Sequence, residues 1–213
     1  MALTTVTIAA SGDLRNVGKT VVDLPDCYAQ PVKVVINDLE FEVVARNTVW
    51  LLFALNLLLD QSSGEDSAIE RVAQSLIHLW YSAFVQPHTI DELRDRVGSL
   101  ISEVCTEITN KQASALHTKT WDFDSATSLT VTLTKKEWLK LEKITAAPKG
   151  LTYEEASRIR QKVTLAPERA DYRDRWSFNE ATPSARLVSQ RFREDGLLLP
   201  FGDCRLGFTE PNP

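Results

Sequence analysis

The sequence predicts an α/β fold that opens on a β–α–β unit. Thr4-Thr5-Val6-Thr7-Ile8-Ala9-Ala10 is a short run rich in β-branched residues, which suit a pleated strand. Ser11-Gly12-Asp13 breaks that run, and a helical segment follows from Leu14. A second apolar run, Val32-Lys33-Val34-Val35-Ile36, ends in Asn37-Asp38, and a helix carrying Glu42, Ala45, Arg46 and Asn47 comes next. Strand, tight turn, helix, strand, acidic turn, helix is the order of the first unit of a Rossmann-like nucleotide fold. In such folds an acidic residue at the end of the second strand binds a ribose.

Composition narrows the function classes. The 213 residues, 43% apolar and 25% charged, fit one large globular domain or one domain with a helical appendage. A net charge of -5 argues against a general nucleic-acid or membrane-surface binder, which needs a basic excess. Cys27, Cys105 and Cys204 are odd in number, far apart and without a CxxC spacing, which suits a reducing compartment. His78, His88 and His117 are equally scattered, so no metal site is expected. The most apolar stretch, Val49 to Leu59, falls short of the roughly 20 residues that span a bilayer and reads as a buried helix. The N-terminus lacks a basic region followed by a long apolar one, so the expected location is the cytoplasm, with the nucleus as the second option.

Beyond the opening unit the chain reads as mostly helical. Gln61 to Asp66 is a polar connector. The next helix has a stripe of Ile69, Val72, Ala73, Leu76, Trp80, Ala83 and Phe84 at steps of three and four, and Pro87 is expected to end it. Thr89-Ile90-Asp91-Glu92 reads as a capping box for a helix with apolar positions from Leu93 to Ile108. Trp121-Asp122-Phe123-Asp124 reads as a loop, and Trp121 as a candidate contact residue. Ser128 to Leu133 alternates as a strand would, and Thr134-Lys135-Lys136-Glu137 is a second capping box. Ala147-Pro148-Lys149-Gly150 is the expected internal boundary. It divides a Rossmann-like core with helices (1–147) from a helical C-terminal extension packed on the same domain (148–213). Thr152-Tyr153-Glu154-Glu155 caps a further helix, and another runs from Pro183 through Arg193 until Gly196 stops it. Leu197 to Gly202 reads as a short strand or a tail packed on the core, and Thr209 to Pro213 as irregular.

Three ligand chemistries compete for the first turn. Gly12 to Thr20 resembles a phosphate loop, but five residues separate Gly12 from Gly18 where the loop needs four. Restoring the spacing puts Asp13 at the first glycine position, where a carboxylate repels phosphate. A dinucleotide fingerprint needs glycines where Leu14 and Val17 stand, and their side chains hold the backbone away from a pyrophosphate. S-adenosylmethionine has no pyrophosphate and tolerates one glycine, with helix-start N–H groups receiving its carboxylate and Asp38 its ribose hydroxyls. Gly12, Asp13 and Asp38 are therefore the candidate cofactor residues. The competing structural reading has Gly12 make the turn while Asp13 and Asp38 cap helices. No catalytic residue is assigned. Asp171, Arg173, Asp174 and Arg175 read as an ion-pair network, and His78 as a packed histidine.

Gly12-Asp13-Leu14-Arg15-Asn16-Val17, Val35-Ile36-Asn37-Asp38-Leu39-Glu40 and Val43-Val44-Ala45-Arg46-Asn47 together resemble a domain of unknown function. That domain is found in fungal proteins, often beside a MYND zinc finger, and at the N-terminus of axonemal dynein assembly factor 3. Asp171 to Arg175 and Phe192 to Gly202 are similar to the fungal members. The resemblance implies a class I methyltransferase-like sheet with an extensive helical elaboration, and makes Gly12 and Asp38 remnants of a cofactor site. The glycine-poor turn and the lack of an Asn/Asp-Pro-Pro-aromatic acceptor motif depart from working methyltransferases. The expected function is a degenerate, non-catalytic interaction or assembly module with protein partners. The alternative is an S-adenosylmethionine-dependent methyltransferase of unknown acceptor.

Overall fold

The computed structural model describes residues 4–60, 66–145, 149–169 and 181–213. It is a mixed α/β protein whose sheets, among the described residues, have two strands each. The chain divides into two compact units, Met1–Leu51 and Leu52–Pro213.

The first unit holds β1 (Thr4–Ala9), α1 (Arg15–Val22), β2 (Val32–Asn37) and the start of α2 (Phe41–Asp60). β1 and β2 pair in parallel, in register from Thr4 opposite Val32 to Ala9 opposite Asn37. Parallel strands need a crossover between them, and α1 is that crossover. The sheet and α1 meet at Val6, Ile8, Val17, Val21, Leu24 and Val34, which line a small apolar cavity. Tyr28 holds the incoming end by donating its hydroxyl proton to Thr4 Oγ1 at 2.6 Å. Gly12 sits at φ +57, where glycine carries no steric penalty. A Cβ there meets nothing within 4 Å, so conformation rather than crowding selects glycine.

The second unit is built from helices and two small antiparallel ladders. Its α3 (Asp66–Tyr81) ends earlier than the apolar spacing suggests. Phe84 and Val85 leave the helix as β3 and pair with β6 (Glu210–Pro211), inside the stretch expected to be irregular. Asn212 explains why: its Nδ2 donates toward the carbonyls of His78, Leu79 and Ser82 at 2.7 to 3.2 Å. One tail side chain thus brings two donors to the carbonyls at the end of α3, where His78 already accepts from the Ser82 N–H at 2.9 Å. Pro87 does not end a helix but begins α4 (Pro87–Glu92), a position that needs no N–H. Thr89 therefore lies inside α4, with its Oγ1 3.3 Å from Ser75 Oγ, and caps nothing. A π-helical turn (Leu93–Gly98) carries the chain on into α5 (Ser99–Glu107).

β4 (Leu116–Asp122) and β5 (Ser128–Thr134) form a hairpin, and α6 (Lys135–Ile144) follows. Trp121 is corrected by this pairing. It belongs to β4 rather than to a loop and is buried edge-on to Trp138, with ring centroids 6.1 Å apart. Alternation puts it on the same face of the hairpin as Val131 and Leu133, so it is a core residue and not a contact residue. The Thr134 capping box is present in both halves, with Glu137 reaching back to the Thr134 N–H at 2.8 Å. Thr152 likewise caps α7 (Tyr153–Thr164), accepting from the Glu155 N–H at 3.2 Å. The next described helix is α8 (Pro183–Asp195), which Gly196 terminates at φ +82. Leu197 and Leu199 then pack with Phe84 and Phe208 in one apolar cluster.

The connector at 61–65, the boundary residues Ala147 and Pro148, and the run from Asp171 to Arg175 lie outside the described residues. Among the described residues no helix is long and apolar enough to cross a membrane.

Cys27 and Cys204 are exposed, whereas Cys105 is buried with its Sγ 3.5 Å from the Trp138 carbonyl. Burial, with the nearby Glu142 charge, pushes the Cys105 thiol up to about 11. Only thiolates attack disulfide reagents. Titration of the folded chain at mildly alkaline pH is therefore expected to count Cys27 and Cys204, and Cys105 only after denaturation. A fast third thiol in the native protein contradicts the packing around Trp138.

Candidate functional site

The first turn and the end of β2 are joined by backbone and then by side chains. Ser11 N–H donates to the Asn37 carbonyl at 3.3 Å, extending the β1–β2 ladder past the strand ends. This places Gly12 beside Asp38. Asp38 Oδ2 accepts the Gly12 N–H at 2.9 Å, and Oδ1 accepts the Glu40 N–H at 3.0 Å. Both carboxylate oxygens of Asp38 thus hold main-chain amides, one across the turn and one at the entrance to α2. The Gly12 amide, followed by that of Glu40, keeps the exposed Asp38 carboxyl below its ordinary acidity range.

The other face of the Gly12 peptide is held from α2. Its carbonyl accepts from Arg46 Nη2 at 3.0 Å and from Asn47 Nδ2 at 3.2 Å. Asp13 turns elsewhere. Its Oδ1 accepts the Arg15 N–H at 3.0 Å, satisfying a free donor at the start of α1, and its Oδ2 pairs with Arg15 Nε at 2.6 Å. The structure therefore brings Gly12 and Asp38 into direct contact and engages Asp13 with α1.

Arg46 and Asn47 were legible in the sequence as helix residues within the family-like segment, without a role at the turn. Asn47, a polar residue ahead of the apolar run of α2, is the one local signal of the site. It is buried, at 4% exposure, and so is Ser11 at 9%. Asn47 Oδ1 and Ser11 Oγ have no hydrogen-bond partner, which leaves two buried polar atoms beside the turn. Such atoms cost free energy unless something pairs with them.

The remaining candidates behave as packing residues. His78 is half-buried, with Nδ1 2.9 Å from Ser82 Oγ and its ring edge-on to Phe208. Burial lowers its pKa, which keeps it neutral near pH 7. Among the described residues no group of three or more His, Cys, Asp or Glu side chains is arranged to hold a metal ion.

Comparison with known proteins identifies a domain of unknown function, DUF4470, over residues 3–85, which run from β1 through β3 and contain the whole Gly12–Asp38 site. That description names no ligand and no reaction. No curated protein and no solved structure matches the chain.

Proposed function

We propose that this chain is a degenerate methyltransferase-like module with a Rossmann-like opening, acting in protein interaction or assembly without turnover. One observation carries the reading: the carboxylate in the ribose-binding position is already hydrogen-bonded through both oxygens, to Gly12 and Glu40. The fold itself thus accounts for the position of this carboxylate, and a ribose diol would have to share its oxygens with two main-chain amides. Asp13, at the position that faces a methionine carboxylate, adds a negative charge that pairs with Arg15. The engaged Asp38 oxygens and the Asp13 charge fit S-adenosylmethionine poorly. The resemblance to fungal domains and to the dynein assembly factor supports a protein partner. The acidic net charge speaks against nucleic acid, and the scattered, odd cysteines support the cytoplasm or nucleus.

A second reading, an S-adenosylmethionine-dependent methyltransferase, is favoured by the unpaired Ser11 Oγ and Asn47 Oδ1 next to Gly12. Calorimetry with S-adenosylmethionine and S-adenosylhomocysteine separates the two. The scaffold reading expects no heat for either at about 1 mM. Micromolar binding that disappears in Asp38→Ala overturns it.

A further inference from the structure

The second unit contains a cleft of about 460 Å³ that none of the preceding chemistry uses. Its volume lies in the range of small-molecule sites. One wall is a face of α3, where Arg71, Gln74, Ser75 and His78 follow the i, i+3, i+4, i+7 spacing that aligns side chains. Opposite stand Gln86, His88 and Thr89 from the start of α4. The tail closes the third side with apolar Leu199 and Phe208 and with exposed Asp203 and Cys204.

The polar lining is buried in part, whereas Arg71, Gln74 and His88 are exposed. Ser75 and Thr89 are 3% and 2% exposed, and Thr89 Oγ1 links Ser75 Oγ at 3.3 Å to His88 Nε2 at 3.4 Å. Ser82 Oγ accepts the Leu198 N–H at 3.1 Å and lies 2.9 Å from His78 Nδ1. Its own proton or its second lone pair meets Nδ1, and the His78 tautomer with hydrogen on Nε2 offers a donor. Among the described residues, the side chains of Arg71, Gln74 and Gln86 have no partner within the chain. Arg71 carries a fixed positive charge, each glutamine amide offers both donors and an acceptor, and Asp203 is the single carboxylate in the lining.

We propose that this cleft binds a small hydroxylated organic anion, with Arg71 and the amide and imidazole donors holding its charged end and Asp203 accepting from its hydroxyls. Phosphate and carboxylate share the acceptor geometry that a guanidinium recognises. The cleft is larger than a bare ion requires, and its apolar tail wall gives a carbon skeleton a surface to lie on.

The three histidines of the chain make the test compact, because each imidazole gives a separate carbon–proton NMR signal. Glucose 6-phosphate and citrate serve as the phosphate and carboxylate probes, with inorganic phosphate and glucose as partial ligands. The expected result is that at least one of the two anions moves the His78 and His88 signals and leaves His117 in place. The response is expected to weaken about tenfold in Arg71→Gln, the loss of one charge-assisted contact. Asp203→Asn is expected to weaken the hydroxylated anion more than inorganic phosphate. The inference is overturned if neither anion moves the two signals at about 10 mM, or if all three histidines shift together. Equal binding by inorganic phosphate, or an unchanged response in Arg71→Gln, overturns it as well.

Discussion

Gly196→Val is expected to cost the second unit on the order of 3 kcal/mol, among the larger effects a single substitution produces. Gly196 sits at φ +82, a conformation that β-branched residues avoid. Its surroundings remove any escape. A Cβ at this position would stand 2.6 Å from Ala83 Cβ and 2.5 Å from Arg160 Nε. Ala83 is fixed by its own backbone, which donates to the Gly196 carbonyl at 2.8 Å and accepts from the Asn212 N–H at 3.0 Å. Arg160 is fixed as well, since its guanidinium donates to the carbonyls of Phe192 and Arg193 and lies over the Phe192 ring. The valine therefore disturbs the end of α8, the end of α3 and the β3–β6 ladder together. Urea denaturation followed by circular dichroism measures the loss. A midpoint equal to that of the wild type contradicts the description of this junction.

Trp138→Ala is expected to cost about 3–5 kcal/mol, the range for emptying a buried aromatic site. Trp138 is completely buried in α6, and its Nε1 donates to the His117 carbonyl at 3.2 Å. Removal leaves a cavity beside Trp121 and takes one donor from the His117 carbonyl. Cys105, which borders the same site, is then expected to become reactive toward disulfide reagents. Loss of stability without a change at Cys105 contradicts the placement of these residues against one another.

The β1–α1–β2 order was legible because β-branched runs and a glycine turn are local signals that tertiary structure did not override. The caps at Thr134, Thr152 and Gly196 were legible for the same reason, since capping chemistry spans only a few residues. What was missed depends on distant partners. The end of α3 is set by Asn212, more than a hundred residues away, and no periodicity within α3 announces it. Trp121 looked like a loop residue because Asp122 and Asp124 flank it, yet pairing of Asp122 with Ser128 extends the hairpin past it. At the candidate site the residue types were legible and their roles were not. Whether an aspartate at a strand end faces a ligand or its own backbone depends on the turn across from it, and here that turn presents the Gly12 amide.

The amide of Gly12 reports directly on that choice. Because main-chain N–H groups hold the Asp38 carboxyl below its ordinary value of 3.8, the stabilisation it gives the turn is present above that pH. It is lost as pH falls through the lower folded value, and the Gly12 resonance titrates with it. The decisive measurement is the proton–nitrogen NMR spectrum during addition of S-adenosylmethionine at neutral pH. If Asp38 belongs to the fold, the Gly12 and Glu40 amide signals stay in place up to about 1 mM ligand. Saturable movement of both signals at micromolar ligand would place the ligand on this carboxylate, and the interaction-module account would then be wrong.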